Sequence, residues 1–103
     1  MIIKIIFEIM SCYVYILASQ RNGTLYVGST TDLIQRIWQH KNKIIKGFTA
    51  KYNVSQLVYF EEHQDIFVMA HREKRMKEWK RSYKINLIEQ KNPNWNDLYY
   101  EII

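Results

Sequence analysis

Apolar and polar residues change rhythm several times along the 103-residue chain, and each change marks an element. Tyr13-Val-Tyr-Ile-Leu-Ala18 is dense in β-branched and aromatic residues, and Ser19-Gln-Arg-Asn-Gly23 follows as a turn cluster ending in Asn-Gly. Thr24-Leu-Tyr-Val-Gly28 then returns, so the segment predicts a β-hairpin, with Gly28 freeing the backbone just before a helix. A register that opposes Leu17 to Thr24 also opposes Tyr15 to Tyr26, and sets both hydroxyls on one face of the sheet.

Thr30 or Thr31 caps the next predicted helix, whose first turn contains Asp32 and which runs to about Lys43. Ile34, Ile37 and Trp38 follow at helical spacing as its expected buried stripe. Arg36 lies about 200° around the helix from Ile34, whereas Arg36 and His40 are only about 40° apart, so they share a face away from the stripe's centre. Gln56-Leu-Val-Tyr-Phe-Glu61 predicts a third strand, and Asp65 begins a long helix through Val68, Ala70, Met76 and Trp79 to about Ser82. Tyr83 to Gln90 reads as helix, Pro93 interrupts, and Leu98-Tyr-Tyr-Glu-Ile-Ile103 remains as a short apolar tail. The expected fold class is therefore α+β: a small three-stranded antiparallel sheet with a β-β-α-β-α core, flanked by helices. One domain is expected over 13–103, with 1–12 an N-terminal extension and Met10 a second candidate start.

Composition narrows this further. At 48% hydrophobic, with three Gly and one Pro, the chain has the apolar content to fold and is neither collagen-like nor low-complexity. Cys12 is the only cysteine, so an intrachain disulfide and a thiolate zinc cage are excluded, and a reducing compartment fits. Met1 to Met10 is apolar but interrupted by Lys4 and Glu8 and too short to span a bilayer, and no small-residue cleavage site follows it. The expectation is a cytoplasmic protein without a membrane partner.

The net charge of +5 is unevenly placed. Arg72, Lys74, Arg75, Lys77, Lys80, Arg81, Lys84 and Lys91 face only Glu73, Glu78 and Glu89 in one window. A second run, Lys41, Lys43, Lys46 and Lys51, contains no acid. Two basic segments on a small domain suit a polyanion, because each neutralised phosphate releases counterions. A solvated, solubilising helix face is the alternative.

Val14-Tyr15-Ile16, the eleven-residue step from Tyr15 to Tyr26 in Tyr26-Val27-Gly28, and Asp32-Leu33 with Arg36 and His40 together resemble the GIY-YIG nuclease domain. Ala70-His-Arg-Glu73, Lys77-Glu-Trp79 and Asn92-Pro-Asn-Trp95-Asn-Asp-Leu98 are similar to the small stand-alone bacterial members, and the resemblance covers roughly residues 13 to 98. The chain departs from the family spelling where Tyr13 and Val14 replace Gly and Ile, and it shows no added DNA-binding or second nuclease domain, which leaves target choice open.

The resemblance implies a metal-dependent endonuclease that hydrolyses DNA phosphodiesters, with DNA repair or recombination as the setting. It places Tyr15 and Tyr26 in the tyrosine positions, where one positions or deprotonates the attacking water, and Arg36 on the phosphate. His40 takes the helix histidine position, and Glu73 holds a divalent cation, Mg2+ or Mn2+. Tyrosine has an ordinary pKa of about 10, so it needs nearby cations to act as a base at neutral pH. Arg36 offers a pH-independent fork of donors, and one carboxylate suffices for magnesium, which keeps most of its waters. Each position also has a plainer reading: strand aromatics for the tyrosines, solvated helix residues for Arg36 and His40, and an ion pair for Glu73. Ala70, Glu73 and Lys77 share one strip, where a small Ala70 would let the strands approach; Glu78 ranks second as metal ligand. Lys41, Lys43, Lys46, Lys51, Arg72, Lys77 and Lys80 are the expected nucleic-acid contacts. Asn92 either completes the site or ends its helix before Pro93. Trp38, Trp79 and Trp95 are expected in the core. The competing function is a non-catalytic nucleic-acid-binding module on the same fold, and a protein-interaction domain has little support; a monomer or weak homodimer is expected whichever function holds.

Overall fold

A computed structural model describes residues 11–103, so the expected extension falls mainly outside the described residues. Three strands, β1 (Cys12–Ala18), β2 (Leu25–Thr30) and β3 (Gln56–His63), form one antiparallel sheet in the order β2-β1-β3. The helices are α1 (Leu33–Lys41), α2 (Phe48–Lys51), α3 (Ile66–Glu78), α4 (Arg81–Lys91) and α5 (Tyr99–Ile102). The α+β class and the predicted strand and helix order are present, with two single-turn helices, α2 and α5, where a loop and a tail were expected.

The central strand is covered on both faces, which explains why Val14 to Ala18 reads as a continuous apolar run. Cys12, Val14, Ile16 and Ala18 pack with Val27, Val58, Met69, Met76 and Ile88 on one face. Tyr15 and Leu17 pack with Leu33, Ile37, Val54, Leu57 and Tyr99 on the other. A bulge between Ile16 and Leu17 lets Val58 and its neighbour Tyr59 both join the first face.

The hairpin register differs from the expected one by two residues: Leu17 lies opposite Tyr26, and Tyr15 lies opposite Gly28. The expected register would have paired Ala18 with Gly23, whereas Ala18 lies opposite Leu25 and Ser19 N–H bonds the Thr24 carbonyl at 3.0 Å, so Gly23 stays within the turn. A slip of two preserves the face of every side chain, so Tyr15 and Tyr26 still share one, diagonally. It also changes the meaning of Gly28. A Cβ there would meet Tyr15 Cζ and its hydroxyl oxygen at 2.5 Å, so the glycine makes room for the Tyr15 ring.

Helix α1 starts one step later than expected. Asp32 is its cap, with Oδ1 accepting from Gln35 N–H at 3.2 Å, and Thr30 Oγ1 accepts from Asp32 N–H at 3.0 Å. The buried stripe is consequently Leu33, Ile37 and His40, while Ile34 and Trp38 are about half exposed at 46% and 48%. Trp38 is therefore not a core residue, whereas Trp95 is, and Trp79 packs against the core's margin. The long helix ends at Glu78, because Trp79 and Lys80 both take ψ 148, and α4 restarts at Arg81. Among the described residues no helix is long and apolar enough to cross a membrane.

Candidate active site

The half-buried ring of Tyr26 on β2 packs against the His40 ring, centroids 5.6 Å apart, and against Tyr15 at 6.5 Å. His40 sits on the buried stripe of α1 and is 2% exposed, which corrects its expected place away from that stripe. Its Nε2 lies 2.9 Å from the Tyr15 hydroxyl and its Nδ1 lies 3.0 Å from Thr49 Oγ1. Burial, and then the charge of Arg36, pull the His40 pKa down to about 4, so the imidazole is neutral at physiological pH. Burial, and then neighbouring Tyr26, push the Tyr15 phenol well above its ordinary value, against the pull of the Arg36 guanidinium beside it. Arg36 has no acceptor, so the Tyr15 O–H donates to His40 Nε2 and His40 Nδ1–H donates to Thr49. This chain leaves the Tyr15 oxygen's lone pairs toward Arg36, and Tyr15 itself is almost wholly buried.

Glu73 is reached around the edge strand. Ser29, three residues beyond Tyr26 and on the other face of β2, donates to Glu73 Oε1 at 2.5 Å, and Lys77 Nζ pairs with Oε2 at 2.9 Å. The Glu73 charge is close enough to Tyr15 to help raise its pKa. The small residue expected beneath this strip, Ala70, is exposed; Met69 and Met76 on either side of Glu73 are what pack on the sheet. Glu78 is exposed at the end of α3. Among the described residues no three His, Cys, Asp or Glu side chains are grouped to enclose a metal, so any cation here relies on Glu73, water and substrate oxygens, which is the donor set magnesium tolerates.

The structure thus brings together Tyr15, Tyr26, Arg36, His40 and Glu73. It adds Ser29 and Thr49, which the sequence reading missed. A polar serine on the apolar face of an edge strand was the available signal for Ser29; nothing marked Thr49. Other expected contacts are committed elsewhere. Lys41 Nζ pairs with Asp97 at 2.5 Å, bonds the Ser55 carbonyl at 3.1 Å and lies over the Tyr99 and Tyr100 rings. Arg72 forks onto Glu61 at 2.8 and 3.0 Å and stacks on Trp79. Burial would raise the Glu61 pKa, but hydrogen bonds from Arg72, Tyr59 and His63 outweigh it and hold that carboxyl below its ordinary range. Asn92 caps α4 and is buried: its Nδ2 donates to the Val58 and Asn96 carbonyls, and its Oδ1 accepts from Asn96 N–H. These bonds end the helix and tie its last turn to β3. Lys43, Lys46, Lys51 and Lys80 are exposed and form no ion pair among the described residues.

The family model of the GIY-YIG catalytic domain matches residues 11–86. The chain belongs to the GIY-YIG family. The GIY-YIG fold here is similar to the solution NMR structure of the UPF0213 protein BH0048 from Bacillus halodurans, with a TM-score of 0.53 and 27% identity over 85% of this chain and 93% of that one. No curated protein matches the sequence. GIY-YIG is a nuclease family, and nucleic acid is the substrate class that membership implies.

Proposed function

We propose that this GIY-YIG protein is an endonuclease that hydrolyses DNA phosphodiesters with a divalent cation, Mg2+ or Mn2+, in the setting of DNA repair or recombination. The observation that carries the proposal is that Tyr26, the Tyr15–Arg36 pair and Glu73 are all held along β2, with Glu73 anchored by Ser29 of that strand and its charge acting on Tyr15.

Roles follow from exposure and bonding. Tyr26, only half-buried, positions the attacking water at the phosphorus. Arg36 donates to a non-bridging phosphate oxygen and stabilises the charge that builds there. Tyr15, His40 and Thr49 act behind it: a neutral imidazole holds the phenol proton, and the phenol oxygen steadies the guanidinium. They are positioning residues. Glu73 would hold the cation, and Lys77, with a half-exposed side chain, has room to leave that carboxylate for a phosphate. A bound divalent cation would supply positive charge to the phosphate and to the departing 3′ oxygen.

A second reading, a binding module that does not cut, draws on the same Lys77–Glu73 ion pair, which already neutralises the carboxylate. The test is incubation of the protein, Tyr26→Phe and Glu73→Ala with labelled linear, single-stranded and branched DNA in magnesium, manganese or chelator. Metal-dependent cleavage lost in both variants supports the nuclease. Salt-sensitive binding with no cleavage of any DNA, nor of RNA, supports the binder.

A further inference from the structure

The aromatic contacts do not end at Tyr26. Its ring stacks on Phe48, with centroids 6.4 Å apart and planes 25° from parallel, and Phe48 packs on Tyr52 at 4.9 Å. Four rings, Tyr15, Tyr26, Phe48 and Tyr52, therefore run in series from the core, through the candidate active site, to solvent. Phe48 is 48% and Tyr52 50% exposed, so the outer half of this series has uncovered ring surface.

Three further features single out this surface. Phe48 and Tyr52 are four apart across the single turn of α2, so both rings project on one side, next to Thr49, whose hydroxyl fixes that turn onto His40. Lys43, Lys46 and Lys51 stand around the turn without carboxylate partners among the described residues, and Lys51 Nζ lies 5.3 Å above the Tyr52 ring. Gly47, beside Phe48 in sequence and at φ +119, has nothing apart from its chain neighbours within 4 Å of its side-chain position, so no other part of the fold crowds the backbone where the turn begins. Rings bordered by unpaired cations match a polyanion that also has flat apolar faces, whereas an apolar protein segment would gain nothing from the lysines.

We propose that Phe48 and Tyr52 form a stacking platform for an unpaired nucleobase adjoining the phosphate held at Tyr26 and Arg36, so that the substrate is single-stranded at the point of cleavage. In the interior of a duplex both faces of a base are already stacked and only its edges are free, so an interior base can lie on these rings only when it has left the paired stack. The placement of the phosphate rests on the nuclease reading given above. The platform itself does not require cleavage.

The test is therefore run first in chelator, where nothing is cut. Fluorescence anisotropy measures binding of a labelled single strand and of a blunt duplex of the same length, by the unaltered protein, the double variant Phe48→Leu/Tyr52→Leu, and Lys51→Gln. The expected result is at least tenfold preference for the single strand, lost in the double variant with duplex binding unchanged. Lys51→Gln lowers the salt dependence on both DNAs and leaves the preference intact. A 2-aminopurine placed in the strand should be quenched by the unaltered protein and not by the double variant; unfolding curves show that the variant is folded. Equal affinity for both DNAs, or a preference that survives the double variant, overturns the platform even if duplex is cleaved in magnesium. The expected preference, found without cleavage of any substrate, upholds the platform and overturns the nuclease reading alone.

Discussion

Acidification should weaken the fold through His40 well before the buried imidazole itself takes a proton. The imidazole is 2% exposed, both nitrogens are bonded, and Arg36 stands close by, so its pKa falls from 6.5 to about 4. Because the folded pKa lies below the unfolded one, the unfolded chain binds the extra proton across that interval, and stability present above about pH 6.5 is lost as the pH falls. The loss follows from the two values: about 2 kcal/mol between pH 7.5 and pH 5, rising to roughly 3 kcal/mol once both states are protonated. Other groups titrate here too, so the informative quantity is a difference. Urea unfolding of the unaltered protein and of His40→Gln, measured from pH 7.5 to pH 5, should give curves that converge by about 2 kcal/mol as the pH drops. His63 and His71 are common to both proteins and cancel. Parallel profiles would falsify the claim that His40 is held neutral, and with it the proton assignment between Tyr15 and Thr49.

Gly28→Ala should destabilise the protein by about 1–3 kcal/mol from overpacking, plus the Tyr15–His40 bond if the ring is displaced; an unfolding midpoint within 0.5 kcal/mol of the original would show that the ring yields freely. Asn92→Ala, which strands the buried Val58 carbonyl, should cost about 2–4 kcal/mol while leaving DNA affinity unchanged; a selective loss of affinity would return Asn92 to the site. If Glu73 carries the cation, Ser29→Ala should raise the magnesium concentration for half-maximal cleavage roughly tenfold with activity regained at saturating metal, and an unaltered metal requirement counts against that role.

The sheet was legible because β1 announces itself in six consecutive β-branched, aromatic and aliphatic residues, and because the turn cluster at 19–23 fixes where the chain reverses. The errors have specific physical sources. Hairpin register depends on how many turn residues remain unpaired, which the Asn-Gly signal does not determine, and the result moved by two. The stripe of α1 was misjudged because Ile34 and Trp38 are more hydrophobic than His40, yet the partners supplied by Tyr15 and Thr49 make it favourable to bury the imidazole instead. The break at Trp79 and Lys80 has neither Gly nor Pro to signal it. Lys41 and Arg72 looked like free cations because Asp97 and Glu61, the acids that claim them, are far away in sequence. The residues brought together at the site came from their family spacing; Ser29 and Thr49, which hold two of them in place, required the fold.

The neighbouring residues Arg72 and Glu73 on α3 reach in opposite directions, one to Glu61 on β3 and the other to Ser29 on β2. These are the two outer strands of the sheet, with β1 between them. The helix is thus braced like a crossbeam, and the place of Glu73 is set by the width and twist of the sheet beneath it. The short connection through Gln64 and Asp65 starts the helix, with Asp65 Oδ1 accepting from the Phe67 and Val68 N–H groups, but makes neither of those two grips. Sequence added at Gln64 would be borne by the connection alone, while the carboxylate kept its station; loosening either grip would let the beam swing and carry Glu73 away from Tyr26 with no change in the residues nearest the phosphate.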